Sequence, residues 1–119
     1  MKENIVRNKS FELAIRIVNL YRFLCEKKQE YILSKQLLRS GTSVGAMVRE
    51  AEHAQSKADF VHKMSIAQKE INETLYWLEL LKETAYLEIE QFQSINKDAE
   101  EIIKLITSII KTSKSNINY

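Results

Sequence analysis

The sequence predicts an all-α protein, an antiparallel up-down-up-down four-helix bundle. Three observations carry that reading. The 119 residues include no proline and only two glycines, the residue types that helix interiors tolerate least. Four stretches repeat apolar residues at helical spacing. Short connections join them, which forces successive helices antiparallel. The length suits one domain, expected over residues 1–112, with a polar, frayed tail at 113–119.

The first helix is expected from a cap at Asn8 or Ser10 to about Lys28. One apolar stripe holds Phe11, Ala14, Ile15, Val18, Tyr21 and Cys25. A second holds Leu13, Ile17, Leu20 and Leu24. Together they span about 220° of the helix, roughly twice what a two-layer packing needs. One stripe serves the bundle core; the other is free to meet a second subunit. The second helix is expected from Ser34, as its cap, to about Gln55. Its core stripe is Leu33, Leu37, Val44, Met47, Val48 and Ala51. Gly41 and Gly45 lie four apart at the edge of that stripe. Each costs about 1 kcal/mol relative to Ala inside a helix. Close approach of another helix would compensate; the alternative is a kink.

The third helix should start at Ser56, where Ser-Lys-Ala-Asp makes a capping box with Asp59, and run to about Glu83. Phe60, Val61, Met64, Ala67, Ile71, Leu75 and Leu78 face the core. Trp77 and Leu80 lie off that stripe and, with Leu13, Ile17, Leu20 and Leu24, make up the candidate subunit interface. The fourth helix is expected over Glu88–Thr112. Its apolar set runs from Phe92 and Ile95 through Ala99, Ile102, Ile103 and Ile106 to Ile109 and Ile110.

Composition narrows the function classes. Cys25 is the only cysteine, so no disulfide scaffold forms. Its place on an apolar stripe, with no neighbouring His, favours a buried structural thiol over a nucleophile. No N-terminal apolar run resembles a signal peptide, and no apolar stretch is long enough to span a bilayer. With the lone thiol, this leads to an expected cytoplasmic location and no membrane partner. The net charge of +2 is unevenly spread. Residues 1–49 hold ten Lys/Arg against four Asp/Glu, and residues 50–119 hold eight against twelve. A basic face could contact phosphates. The candidate set is Arg16, Arg22, Lys27, Lys28, Lys35, Arg39 and Arg49. No aromatic stacking platform interleaves with it.

The stretch from Ser34 to Ala51, with Gln36, Arg39, Ser43 and Glu50 at fixed spacing, resembles the signature of a known family. Phe11 to Ile15, Phe60, Ile66, Ala67, Glu73 and Leu75 to Leu81 extend the likeness. These are the four-helix-bundle proteins encoded in intervening sequences of bacterial 23S ribosomal RNA genes. Gln36, Arg39, Ser43, Glu50 and Glu73 fall on characteristic positions. Met47 stands where Asn is usual, Ala51 where Gly is, and Glu70 where Ser is. The family's molecular function is not established. The resemblance implies a homopentamer, and a likeness to the accessory variability determinant of diversity-generating retroelements. That relative is a basic pentamer that binds nucleic acid and a reverse transcriptase.

Catalytic signals are weak. Glu50-x-x-His53 and Asp59-x-x-His62 have the spacing of di-metal bundle ligands, but the helical wheel turns all four outward. No phosphate loop, Ser-His-Asp pattern or HExxH occurs. The expectation is a non-enzymatic oligomer without metal or cofactor, binding RNA or DNA through its basic face. The alternative is a protein-interaction module, with a partner such as a reverse transcriptase and no nucleic-acid role.

Overall fold

In the computed structural model, which describes residues 2–116, four helices follow one another. They are α1 (Lys2–Lys28), α2 (Leu33–Glu52), α3 (Lys57–Glu83) and α4 (Ile89–Asn116). Each packs against its sequence neighbours, and α1 closes the bundle against α4. The result is a rod of 48 × 21 × 21 Å.

One core runs its length. Leu13, Ile17 and Leu24 of α1 meet Leu37, Val44 and Val48 of α2, Met64, Ile71 and Leu78 of α3, and Ile95, Ile102 and Ile106 of α4. This decides between the two stripes of α1. Leu13, Ile17 and Leu24 are core residues, so they cannot form the expected subunit interface, and Leu20 packs half-buried beside them. Helix α1 places the Phe11/Ile15 stripe outward instead.

Small residues set the α1–α2 distance, as expected for a continuous helix carrying two glycines. A Cβ on Gly41 would stand 2.7 Å from Ile17 Cγ1, and one on Gly45 would stand 3.4 Å from the Ser10 carbonyl oxygen. Helix α2 continues through both.

The ends differ from expectation at four places, the simplest being α2, which stops at Glu52 rather than near Gln55. Helix α1 begins at Lys2, ahead of both expected caps, because buried Val6 extends the core toward the N-terminus. Ser10 is interior, and its hydroxyl donates to the Arg7 carbonyl at 3.1 Å, a common fate of mid-helix Ser. Ser34 does not cap α2. Glu30 does, its carboxylate accepting from the backbone N–H groups of Ile32 (3.2 Å), Leu33 (3.0 Å) and Ser34 (2.7 Å). Ser34 Oγ instead donates back to the Glu30 carbonyl at 2.8 Å. Helix α4 runs to Asn116, into the stretch expected to be frayed, because Ile109 and Ile110 remain buried near its end. Residues 117–119 lie outside the described residues.

The α3 start matches its sequence signal. Ser56 Oγ accepts from Asp59 N at 3.0 Å, and Asp59 Oδ2 accepts from Gln55 N at 3.2 Å. Helix α3 ends at Glu83, as its spacing predicts.

Candidate functional site

The signature positions gather on the seam between α2 and α3. Arg39 projects from α2 between two carboxylates of α3. Its Nη1 lies 3.0 Å from Glu70 Oε2, and its Nη2 bonds Glu73 Oε2. Trp77, one turn on, donates its Nε1–H to the same Glu73 oxygen at 2.9 Å. Arg39 and then Trp77 hold the Glu73 carboxyl below its ordinary range. Ser43 Oγ donates to the Arg39 carbonyl at 2.6 Å. Glu50 faces Lys63 across the same seam at 3.7 Å. Gln36 is exposed on the first turns of α2. Glu70 supplies the second carboxylate around Arg39.

This arrangement is an ion-pair network joining two helices. Its guanidinium is already matched by two carboxylates, so it has little left for an incoming anion. Arg39 is half-exposed, and pairs of that kind contribute modestly to stability.

Trp77 is half-buried, packed on the core and edge-on to exposed Tyr76 with ring centroids 5.0 Å apart. Leu80 is also half-buried. Neither stands free in solvent as its wheel position suggested.

The seven basic candidates do not form one face. Arg16 bridges to α4, donating to Asp98 Oδ2 at 2.6 Å and Ser94 Oγ at 2.9 Å. Arg39 is on the opposite side, against α3. Arg49 lies over the Phe11 ring, 5.0 Å from its centroid. Arg22, Lys27, Lys28 and Lys35 are exposed and form no ion pair among the described residues. Helical geometry explains the scatter. The spacings along α1 turn its cations toward α2, α4 and solvent in succession.

No group of three or more His, Cys, Asp or Glu among the described residues could hold a metal ion. His53 and His62 are exposed at the surface, as the wheel indicated. Cys25 is less enclosed than its stripe suggested. It is half-buried, with its Sγ 3.8 Å from Ser34 Oγ. The hollows are open grooves, such as one of about 430 Å³ lined by Ala51, Ala54, Ser56 and Phe60. Among the described residues, no helix is long and apolar enough to cross a membrane.

Two features escape sequence reasoning. Glu30 reads as one more surface charge, although an acid just before a helix start is a recognisable capping signal. Arg16, Ser94 and Asp98 are separated by 78 and 82 positions, and no local pattern links them.

No curated protein matches the chain. It is similar to a solved structure from Bacteroides thetaiotaomicron, described as a protein of unknown function from the S23 ribosomal protein family. The two are 61% identical with a TM-score of 0.92, over 93% of this chain and 99% of the other. Residues 2–108 match the family described as 23S rRNA-intervening sequence protein. With that match across nearly the whole bundle, the chain belongs to the 23S rRNA-intervening sequence protein family.

Proposed function

We propose that the protein is a non-enzymatic helical bundle that works as a self-associating assembly unit. The observation that carries this reading is the outer stripe of α1. Phe11 is 51% and Ile15 49% exposed. Ile15 lies diametrically opposite the core stripe of Leu13, Ile17 and Leu24 when residues are placed at about 100° each. A monomer leaves these side chains in water. Each is already about half covered, so burying the remainder would contribute roughly 0.7–1.5 kcal/mol apiece. Arg49 over the Phe11 ring extends the patch onto α2. A second copy of this chain is the occupant that fits the reading, and closed rings bury such a face without forming filaments. The family resemblance makes five the expected count.

A broad basic face for nucleic acid is less well supported, because Arg16 and Arg39 are already paired on opposite sides. Light scattering at micromolar concentration tests the proposal. The parent should weigh several times 13.9 kDa. Phe11→Glu with Ile15→Glu should bring the mass to one chain while circular dichroism stays helical. A monomeric parent overturns the proposal.

A further inference from the structure

Three cations that form no ion pair among the described residues lie close together, one of them, Lys28, with its Nζ 5.9 Å from the Phe23 ring centroid. Lys27 and Lys28 close α1, and Lys35 lies in the first turn of α2. All three are exposed at one end of the rod, and none forms an ion pair among the described residues. Between them the connection carries Tyr31, 53% exposed, and Ile32, 75% exposed. Ile32 is the barest of the large apolar side chains described.

This tip is held in shape. Gln29 takes the left-handed conformation that ends a helix, with φ 50°, and Glu30 N donates to the Leu24 carbonyl at 3.0 Å, tying the turn back to α1. The Glu30 side chain then fixes the next three amides. Tyr31 and Ile32 are therefore presented outward by a pinned turn, with little conformational freedom left to lose on binding.

We infer that the α1–α2 tip binds single-stranded nucleic acid, with Tyr31 stacking on a base and Lys27, Lys28 and Lys35 contacting phosphates. A ring for stacking and cations for the backbone are the two elements of sequence-tolerant strand binding. The aromatic platform that sequence alone did not associate with the basic residues is Tyr31, brought beside them by the turn. An anionic membrane fits less well. At the same end, the last residue of α3, Glu83, the connection's Glu88 and Glu90 at the start of α4 are all exposed, and a flat anionic surface would also press against them. A strand can follow the α1–α2 side alone. The site is separate from the outer stripe of α1 and does not rest on self-association.

Fluorescence anisotropy with labelled oligothymidylate and oligouridylate of about twelve nucleotides, within the usual range of site sizes, tests it. Both strands should bind at low salt, and the ratio of their affinities separates DNA from RNA as the preferred source. Tyr31→Ala should weaken binding about tenfold, the order expected for one lost stack, without changing the salt slope. Tyr31→Phe should retain binding. Lys27→Gln, Lys28→Gln and Lys35→Gln together should flatten the log–log salt slope by about 2, at roughly 0.7 for each phosphate contact. Helix content by circular dichroism should match the parent in every variant. An abasic strand should bind as weakly to the parent as the intact strand does to Tyr31→Ala. The inference is overturned if the parent binds neither strand. It is equally overturned if Tyr31→Ala binds unchanged, if Arg49→Gln removes binding while the tip variants keep it, or if only phosphatidylserine vesicles bind.

Discussion

Replacing Glu30 should destabilise the protein more than any exposed acid would. The residue is 8% exposed, and its carboxylate accepts from three successive amides at the start of α2. Losing an ordinary N-cap costs about 1 kcal/mol. Here the acceptor is charged, and the amide of fully buried Ser34 would lose its partner where water does not reach, a further ~1–2 kcal/mol. Glu30→Ala should therefore lose about 2–3 kcal/mol, and Glu30→Gln about half of that, since one amide oxygen still accepts. For a chain of this length that is roughly 6–15 °C in Tm, measured at one fixed protein concentration because association would also move it.

The effect carries a pH signature. Burial pushes the Glu30 carboxyl up, but the amides of Leu33, Ser34 and Ile32 outweigh it and leave its pKa below the ordinary value. A depressed carboxyl stabilises the fold fully above its unfolded pKa, near 4.3. That contribution disappears as pH falls through the still lower folded value. Denaturant melts of the parent and Glu30→Gln should thus differ by a constant amount between neutral pH and about pH 5, then converge in stronger acid. A difference below about 0.5 kcal/mol at pH 7, or one that does not shrink in acid, would refute the capping argument.

Other predictions rest on separate features. Gly41→Ala should destabilise by about 1–2 kcal/mol in urea melts despite its better helix propensity, because stiff, buried Ile17 cannot retreat from a Cβ at 2.7 Å. Gly45→Ala, whose Cβ would meet the Ser10 carbonyl oxygen at 3.4 Å, should be neutral or up to about 1 kcal/mol stabilising; equal outcomes for the two would show that close packing is not what selects glycine. Elemental analysis of purified protein should find no stoichiometric iron or zinc, given that His53 and His62 are exposed and no ligand cluster forms among the described residues. A ratio near one, lost on His53→Ala or His62→Ala, would overturn that expectation.

What could be read from the chain was whatever repeats at helical period. The core stripes of α2, α3 and α4, the Ser56–Asp59 cap and the glycine-lined contact all depend on residues within a few positions of one another. The wheel could not choose between two equally apolar stripes on α1, because the choice depends on where α2 and α4 stand. The start of α1 was misplaced because Ser10 has the chemistry of a cap, and only the burial of Val6 shows that the core continues past it. The basic set looked like a face because charge was counted along the chain. In space, Arg16 and Arg39 turn to carboxylates on α4 and α3, which local spacing does not encode. Tyr31 beside three lysines was visible as letters, but its projection depends on the turn that Glu30 and Gln29 build.

The seam between α1 and α4 differs in kind from the other three. Those join helices that follow directly in the chain, so each can zip as a hairpin once its short connection bends. The first-to-last seam must bring together Arg16, Ser94 and Asp98 across 78 to 82 positions. Ring-closure entropy for the whole chain falls on that one contact. Local hairpins are the fast events in helical proteins and distant contacts the slow ones. The order of assembly that follows is two hairpins first and the rod sealed last. In the native state the same seam would be the first to part, so amides along the outer edges of α1 and α4 should exchange with solvent sooner than those lining the glycine contact.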